Sequence, residues 1–170
     1  LMSLLKEIPD EKVLIFSQFT TVLGEIGKRL EKEEMAYHYL DGQTDAKVRL
    51  ERVEDFNQNK EKRIFLISLK AGGTGLNLTS ASTVIHFDPW WNPAVENQAS
   101  DRAHRMGQKQ VVNVMKLVAK GTIEESIVAL QEEKQLLIEE VMSGGEGKKL
   151  SGLSLEEMKA LLLESEKLLG

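Results

Sequence analysis

Short apolar runs that alternate with amphipathic stretches constrain the fold of this chain more than any other feature. The runs KVLIFS (residues 12–17), RIFLIS (63–68) and TVIHFD (83–88) are rich in β-branched side chains, which is typical of strands buried on both faces. The runs MAYHYL (35–40) and VVNVMKLVA (111–119) predict two further strands. Strands of this type that alternate with helices predict an α/β fold, in which helices cover both faces of a mostly parallel sheet.

Helices are predicted in the stretches between the strands. Thr44 is a plausible N-cap for the helix that should follow the second strand. Another helix is predicted to start near Asn92 and Pro93, because proline is tolerated in a first helical turn. Apolar side chains recur at helical spacing in residues 19–33 and 45–59, namely Val22, Leu23, Ile26 and Leu30 in the first stretch and Val48, Val53 and Phe56 in the second.

The C-terminal part of the chain has a different organisation. Thr122 and Glu125 have the spacing of a capping box at the start of a long helix. A glycine-rich stretch (143–152) then predicts a flexible linker, and residues 154–169 predict a last amphipathic helix. We therefore expect a first domain at 1–142 that includes the long helix, and a second region at 143–170. The apolar stripe of the long helix consists of Ile123, Ile127, Leu130, Leu137 and Val141.

Composition excludes several classes of protein. The chain has no cysteine and only three histidines, so neither a disulfide framework nor a structural metal site is expected. No apolar run is long enough to cross a membrane, and the first residues lack the pattern of a signal peptide. These features predict a soluble intracellular protein without a membrane partner. The absence of a basic nuclear signal favours a prokaryotic, nucleoid-associated location over a nuclear one, and the abrupt ends are those expected of an excised fragment.

The net charge of −5 is unevenly distributed along the chain. Residues 1–121 contain 17 basic and 16 acidic side chains, whereas residues 122–170 contain 5 basic and 11 acidic ones. The acidity therefore belongs to the C-terminal part. A local basic surface in the first part remains compatible with a nucleic-acid partner.

A glycine-rich loop follows the third predicted strand, with the sequence SLKAGGTGLNLTSAS (residues 68–82). Gly72, Gly73 and Gly75 permit either a tight turn or a close approach of the backbone to a phosphate group. The loop is not a P-loop, because no Gly-Lys-Ser/Thr follows, and it does not match the dinucleotide fingerprint. The absence of that fingerprint argues against an oxidoreductase with a nucleotide cofactor.

Two further motifs follow the fourth predicted strand. In HFDPWWNP (residues 86–93), Trp90 is expected in the core, whereas Trp91 fits the core and a surface for base or sugar stacking equally well. In ENQASDRAHRMGQKQ (residues 96–110), a helix would place Gln98, Arg102 and Arg105 on neighbouring turns. Such a face is either a solvated surface or a pair of guanidinium groups directed at one anion.

The motifs occur in one order that resembles a known family. VLIFSQFT (13–20), YLDGQT (39–44), the block at 68–108 and GTIEESIVALQEEK (121–134) together closely resemble the second, C-terminal RecA-like lobe of SWI/SNF-related ATPases, which are superfamily-two helicase-like motors. The resemblance covers about residues 10–142. It implies a RecA-like three-layer sandwich with C-terminal helices, and it identifies the long helix with the brace helix of the family, which packs back against the motor.

In this family two RecA-like lobes enclose ATP, and the second lobe supplies arginine fingers that stabilise the charge developing on the transferred phosphoryl group. The resemblance implies Arg105 as the first candidate for such a finger and Arg102 as its partner. Gln98 matches the glutamine that links nucleotide state to the contact between lobes. Gly75 and Asn77 match positions at which related motors approach the nucleotide sugar.

The resemblance also implies a DNA-facing set of residues. Lys70 and Thr74 match positions that touch a nucleic-acid backbone, although many relatives have arginine in place of Lys70. Ser17 is a similar candidate for a phosphate contact, and Trp91 is a weaker one. Contacts of this kind follow a strand without reading its sequence.

The implied function is that of one lobe of a DNA-dependent ATPase that translocates on duplex DNA and remodels protein–DNA complexes. ATP and Mg²⁺ would be bound mainly by the first lobe of the same polypeptide, which would be the partner of this lobe together with duplex DNA and DNA-bound protein. The 170-residue chain alone is expected to be inactive. The alternative is a catalytically silent lobe that serves as a docking module for DNA or protein.

Overall fold

The computed structural model describes residues 1–72, 75–90, 92–103 and 111–142. Five strands form one sheet in which every pairing is parallel, with the spatial order β2-β3-β1-β4-β5. All five strands were predicted from the sequence, and the α/β prediction is confirmed. The strands are β1 (Val13–Ser17), β2 (Tyr37–Leu40), β3 (Ile64–Ser68), β4 (Thr83–His86) and β5 (Asn113–Lys116).

Two of the strands form the buried centre of the sheet. Every residue of β1 and β3 is buried, as their uninterrupted apolar sequences predict. Val13 of β1 is in register with Ile64 on one side and with Thr83 on the other. By contrast, β5 is an edge strand whose residues are mostly exposed.

Helices cover both faces of the sheet, which gives three layers. Leu14 and Phe16 of β1 point into one core cluster together with Phe56, whereas Val13 and Ile15 point into the other. This alternation follows from the two-residue period of a strand. The helices are α1 (Met2–Glu7), α2 (Thr20–Lys32), α3 (Ala46–Gln58), α4 (Leu69–Gly72), α5 (Pro93–Ser100) and α6 (Ile123–Met142).

Each core cluster has its own helices. Leu23, Ile26 and Leu30 of α2 are buried in the cluster that contains Val13, and Leu5 of α1 joins them. Helices α3 and α5 supply the other cluster with Val53, Phe56 and Ala99. The predicted apolar faces of both interstrand helices are thus confirmed at these positions.

The structure corrects three local predictions. Asp45, and not Thr44, caps α3, because its carboxylate accepts from the amide of Lys47 at 2.8 Å while the Thr44 hydroxyl donates to Asp41. Helix α5 ends at Ser100, so the helical face that was predicted to carry Arg102 stops before it.

The start of α6 also differs from the predicted capping box. Glu125 accepts from the amide of Gly121 at 2.9 Å, and the Thr122 hydroxyl donates to the carbonyl oxygen of Ala119 at 2.7 Å. The first turn of α6 is therefore stabilised by contacts with Gly121 and Ala119, which precede Thr122. Leu130, a member of the predicted apolar stripe, is 44% exposed.

The chain divides into two compact units, Leu1–Glu133 and Lys134–Gly170. The first unit contains the whole sheet and helices α1 to α5. The described part of the second unit, residues 134–142, is the C-terminal part of α6. The boundary predicted after residue 142 stays a prediction. Among the described residues, no helix has both the length and the apolar character required to cross a membrane.

Candidate functional site

The carboxyl ends of β1, β3 and β4 lie at the same edge of the sheet, because the three strands are parallel neighbours. Ser17 ends β1, the glycine-rich loop follows β3, and the turn that contains Trp90 follows β4. Ligands of parallel α/β sheets bind at this edge. The candidate residues from the sequence therefore come from adjacent loops.

Ser17 and Asp88 join the ends of two of these strands. The Ser17 hydroxyl donates to Asp88 Oδ2 at 3.1 Å, and the amide of Gln18 donates to the same carboxylate. Burial raises the pKa of Asp88, while these hydrogen bonds act in the opposite direction. Ser17 itself is 1% exposed. Its predicted phosphate contact stays a prediction, and in this arrangement its hydroxyl is committed to Asp88.

The glycine-rich loop presents several of its candidate groups to solvent. Lys70 lies on the one-turn helix α4 and is exposed. Gly75 has a φ of +69°, in the left-handed region that favours glycine, and it is exposed. No described heavy atom beyond its chain neighbours lies within 4 Å of the position that a Cβ would take there. Asn77 is exposed, and its carbonyl oxygen accepts from Asn57 Nδ2 at 2.9 Å.

A backbone hydrogen bond connects this loop to the turn that contains Arg102. The amide of Leu78 donates to the carbonyl oxygen of Arg102 at 3.1 Å. Both segments are also anchored by apolar side chains in the same core cluster, namely Leu76 and Leu78 of the loop and Ala103 of the turn. The loop and the turn after α5 are thereby held side by side. Arg102 is itself 6% exposed.

Helix α5 carries Gln98 and is fixed at its start by Asn92. The Asn92 side chain accepts from the amide of Ala94 at 3.1 Å, and Pro93 occupies the first turn. Gln98 is exposed, and its predicted role at the contact between lobes stays a prediction. At the other end of the helix, Ser100 lies 2.9 Å from His86 Nε2. These contacts position Gln98 relative to the end of β4.

His86 is enclosed beneath α5. Its ring stacks on Phe16 with centroids 5.6 Å apart, and its burial lowers the pKa of the imidazole, an effect that Glu96 partly offsets. Trp90 packs against the same core cluster as Phe16, in agreement with its expected inward position. His86 thus supports the helix from the sheet.

Glu96 is a buried charged residue to which the sequence alone assigned no role. It is 1% exposed; its Oε1 accepts from the amide of Trp90 at 2.6 Å, and its Oε2 lies 2.7 Å from Lys116 Nζ on β5. Its sequence neighbours at i+3 and i+4, Ala99 and Ser100, are also buried. Residues three and four apart share one face of a helix, so the spacing of Glu96 from Ala99 is the signal in the sequence that indicates its burial.

The structure brings together some of the predicted site residues. Gly75 and Asn77 belong to the loop that the Leu78–Arg102 hydrogen bond ties to the end of α5, where Gln98 lies. Thr74, Trp91 and Arg105 lie outside the described residues. Within the described ranges, no group of three His, Asp or Glu side chains is placed to hold a metal ion.

Residues 1–107 match the family model of the helicase conserved C-terminal domain. The chain is 47% identical over 133 residues to an uncharacterized ATP-dependent helicase of Mycoplasma pneumoniae, which covers 78% of this chain. It is 42% identical over 157 residues, 92% of this chain, to the human chromatin-remodeling ATPase INO80. The crystal structure of the C-terminal part of the Fun30 ATPase domain superposes with a TM-score of 0.74 at 44% identity and covers 76% of this chain.

The chain is much shorter than these relatives. It spans 13% of the Mycoplasma pneumoniae protein, 10% of INO80 and 43% of the Fun30 chain. The similarity to the Fun30 structure confirms the RecA-like fold expected from the sequence.

Proposed function

The chain belongs to the family of helicase conserved C-terminal domains of SWI/SNF-type ATP-dependent helicases, and from this premise we propose that it is the second motor lobe of a DNA-dependent ATPase that translocates on duplex DNA. In the intact protein, closure of two lobes around ATP and their reopening after hydrolysis would move the protein along DNA. Such movement would remodel protein–DNA complexes. The first lobe is proposed to belong to the same polypeptide.

The 3.1 Å hydrogen bond from the amide of Leu78 to the carbonyl oxygen of Arg102 carries this proposal. It joins two segments that are distant in the sequence and that have different proposed roles. The glycine-rich loop is proposed to approach the nucleotide sugar, and the segment after α5 is proposed to reach the phosphates. A motor lobe requires both groups at one edge, which supports the assignment.

On the nucleotide side, no described heavy atom beyond its chain neighbours lies within 4 Å of the Cβ position at the exposed Gly75, which suits close approach of a sugar. Asn77 is exposed beside it and offers amide hydrogen-bonding groups. Arg105 is proposed to stabilise the charge that develops during hydrolysis, with Arg102 as its partner. Gln98 is proposed to transmit nucleotide state to the contact between lobes. Mg²⁺ is proposed to be held mainly by the first lobe.

On the DNA side, the exposed ammonium of Lys70 is proposed to contact a backbone phosphate. Thr74 and Ser17 are proposed as further phosphate contacts, and Trp91 as a weaker one. Ser17 would have to exchange its hydrogen bond to Asp88 for a phosphate oxygen, which makes Lys70 the stronger candidate of the described residues.

The proposal assigns hydrolysis to the full-length protein, in line with relatives that are named ATP-dependent helicases. Activation of the attacking water is assigned to the first lobe. The 170-residue chain alone is therefore proposed to hydrolyse ATP negligibly. The relatives come from bacteria and eukaryotes, so a prokaryotic location stays a prediction.

Steady-state ATPase assays on the full-length protein, with and without duplex DNA, test the proposal. Arg105→Ala should reduce DNA-stimulated turnover by about three orders of magnitude, because an arginine finger contributes roughly that factor. Binding of duplex DNA should be retained. Arg29→Ala, which removes an exposed arginine near the end of α2, is the control and should leave turnover unchanged. Near-normal turnover of Arg105→Ala would contradict the finger assignment, and a wild-type protein without ATPase activity would favour the docking module.

A further inference from the structure

Four residues from four segments form a closed ring of polar contacts. Glu96 of α5 accepts from the amide of Trp90 at 2.6 Å and lies 2.7 Å from Lys116 Nζ of β5. Lys116 Nζ donates to Gln131 Oε1 of α6 at 2.6 Å. Gln131 Nε2 donates in turn to the carbonyl oxygen of Trp90, which closes the ring. The ring joins α6 to the turn before α5.

Burial makes the contacts of this ring mutually dependent. Glu96 is 1% exposed and Gln131 is 3% exposed, so solvent does not replace a lost partner at either position. An unpaired buried carboxylate is costly, and an unsatisfied buried amide costs about 1–3 kcal/mol. Loss of one contact therefore favours a rearrangement of the remaining groups over an unchanged ring.

Gln131 is the residue through which α6 enters this network. Of the α6 side chains that the structure describes, residues 124–136, Gln131 is the only buried one. Leu130 beside it is 44% exposed. Gln131 therefore attaches α6 to the rest of the first unit through directed hydrogen bonds, beside the partly buried Ile127 and Val128. Such contacts require one particular position of the helix, whereas apolar contacts tolerate sliding.

The other end of the network reaches the proposed ATP site. The hydrogen bond from the Trp90 amide to Glu96 ties α5 to the turn that precedes it, in addition to the Asn92 cap. Gln98 is two residues after Glu96 on the same helix, and Arg102 follows its end. A small displacement of α5 would therefore move both groups relative to the nucleotide. Misplacement by about 1 Å can reduce a catalysed rate by about 100-fold.

We propose that Gln131 is a positioning residue, which couples the attachment of α6 to the placement of Gln98 and Arg102 and thereby sets the rate of DNA-stimulated ATP hydrolysis. The inference rests on the proposed motor function. It makes α6 a control element, because any partner or lobe movement that pulls Gln131 from Trp90 and Lys116 would displace α5. Glu96 and Lys116 connect Gln131 to α5, and neither residue is proposed to contact the nucleotide.

The test compares Gln131→Ala with Glu132→Ala in the full-length protein, since Glu132 is the exposed neighbour on the same helix. We expect Gln131→Ala to lower the kcat of DNA-stimulated hydrolysis by about tenfold, with the KM for ATP and the Kd for duplex DNA within about twofold of wild type. Glu132→Ala should match wild type. A second pair of variants, at Lys116, makes the test independent of the Gln131 substitution. Lys116→Met should lower kcat as Gln131→Ala does. Lys116→Arg retains the charge and the hydrogen-bond donors, so it should preserve most of the activity.

A double variant separates positioning from simple destabilisation. If Gln131 acts through α5, then Gln131→Ala should lower kcat by a smaller factor when Gln98 is already replaced by alanine than it does in the wild-type protein, because the part of the effect that passes through Gln98 is already lost. Multiplicative effects of the two substitutions, or a kcat of Gln131→Ala equal to that of Glu132→Ala, would overturn the inference while leaving the motor function intact. Absence of DNA-stimulated hydrolysis in the wild-type protein would instead overturn the proposed function, and the inference with it.

Discussion

The amide of Leu78 donates a hydrogen bond of 3.1 Å to the carbonyl oxygen of Arg102. This bond places the glycine-rich loop against the turn after α5, although 24 residues of sequence separate the two partners. Both partners use backbone atoms, so the bond does not involve the Arg102 side chain. That side chain is enclosed by the protein, since the residue is 6% exposed.

Arg102 and Gln98 are therefore expected to respond differently to substitution. Arg102→Ala should lower the free energy of unfolding by more than about 1.5 kcal/mol, because it removes the packing of a long buried side chain. Gln98→Ala is exposed and should stay within about 0.5 kcal/mol of wild type. Urea denaturation of the chain measures both values. Both variants should lower DNA-stimulated turnover of the full-length protein; equal stability of the two would contradict the structural role of Arg102.

Much of the fold was predictable from local patterns. The strands β1 and β3 are buried on both faces, and their uninterrupted apolar runs indicate this directly. The periodic positions Leu23, Ile26 and Leu30 likewise identified the buried face of α2. Such elements are recoverable because their pattern and their burial have the same cause, the period of the backbone.

The candidate site was less predictable, because it depends on contacts between distant residues. The order of the motifs identified the loop at Gly75 and the region of Arg102, but no local pattern specifies the bond between Leu78 and Arg102. The pairing of Glu96 with Lys116 is equally long-range, since it requires knowledge that β5 lies beside β4. Thr44 was favoured as a cap on residue type alone, and the neighbouring Asp45 took that position.

Two glycines of α2 provide a matched test of packing. At Gly24, an added Cβ would have no heavy atom of the described residues within 4 Å, apart from those of its own helix. Gly24→Ala should therefore stabilise the chain by about 1 kcal/mol, because alanine has the higher helix propensity. At Gly27 the same Cβ would lie 2.6 Å from the Tyr37 hydroxyl oxygen, which donates to Glu31 at 2.8 Å. Gly27→Ala should therefore lack this gain.

Chemical denaturation of the two alanine variants decides the point. Tyr37→Phe in the Gly27→Ala background removes the closest atom and should restore part of the stability. If Gly27→Ala is as stabilising as Gly24→Ala, the contact with Tyr37 is more adaptable than the structure indicates.

The stability of the chain should fall as the pH is lowered through 6.5. Burial lowers the pKa of His38, an effect that exceeds the opposing attraction of Asp55, and nearby Lys62 adds to the lowering. The unfolded chain therefore binds more protons than the native one between the native pKa and 6.5, so protonation favours unfolding in that window. Above pH 6.5 this contribution should be constant. Burial lowers the pKa of His86 in the same direction, so His38→Gln should remove part of the slope.

Urea denaturation at a series of pH values measures this slope. The comparison of His38→Gln with wild type isolates the contribution of that residue. An unchanged pH dependence in the variant would show that the imidazole of His38 binds protons equally well in the native and unfolded states.

The contact between Glu96 and Lys116 should be strongly coupled to folding. Lys116→Met leaves the buried carboxylate of Glu96 without its cation and should lower the free energy of unfolding by about 3 kcal/mol. This value is the lower end of the range for a broken buried pair, because the Lys116 side chain is 35% exposed. Glu96→Gln should cost less, since its amide oxygen still accepts from Trp90 and Lys116 keeps Gln131 as a partner. The double variant removes the stranded charge, so its cost should be smaller than the sum of the two single costs by about 1–2 kcal/mol. Urea denaturation of the wild type, the two single variants and the double variant measures the four free energies of unfolding that this comparison needs. Additive costs would mean that the 2.7 Å contact between Glu96 and Lys116 contributes no net interaction to the native state.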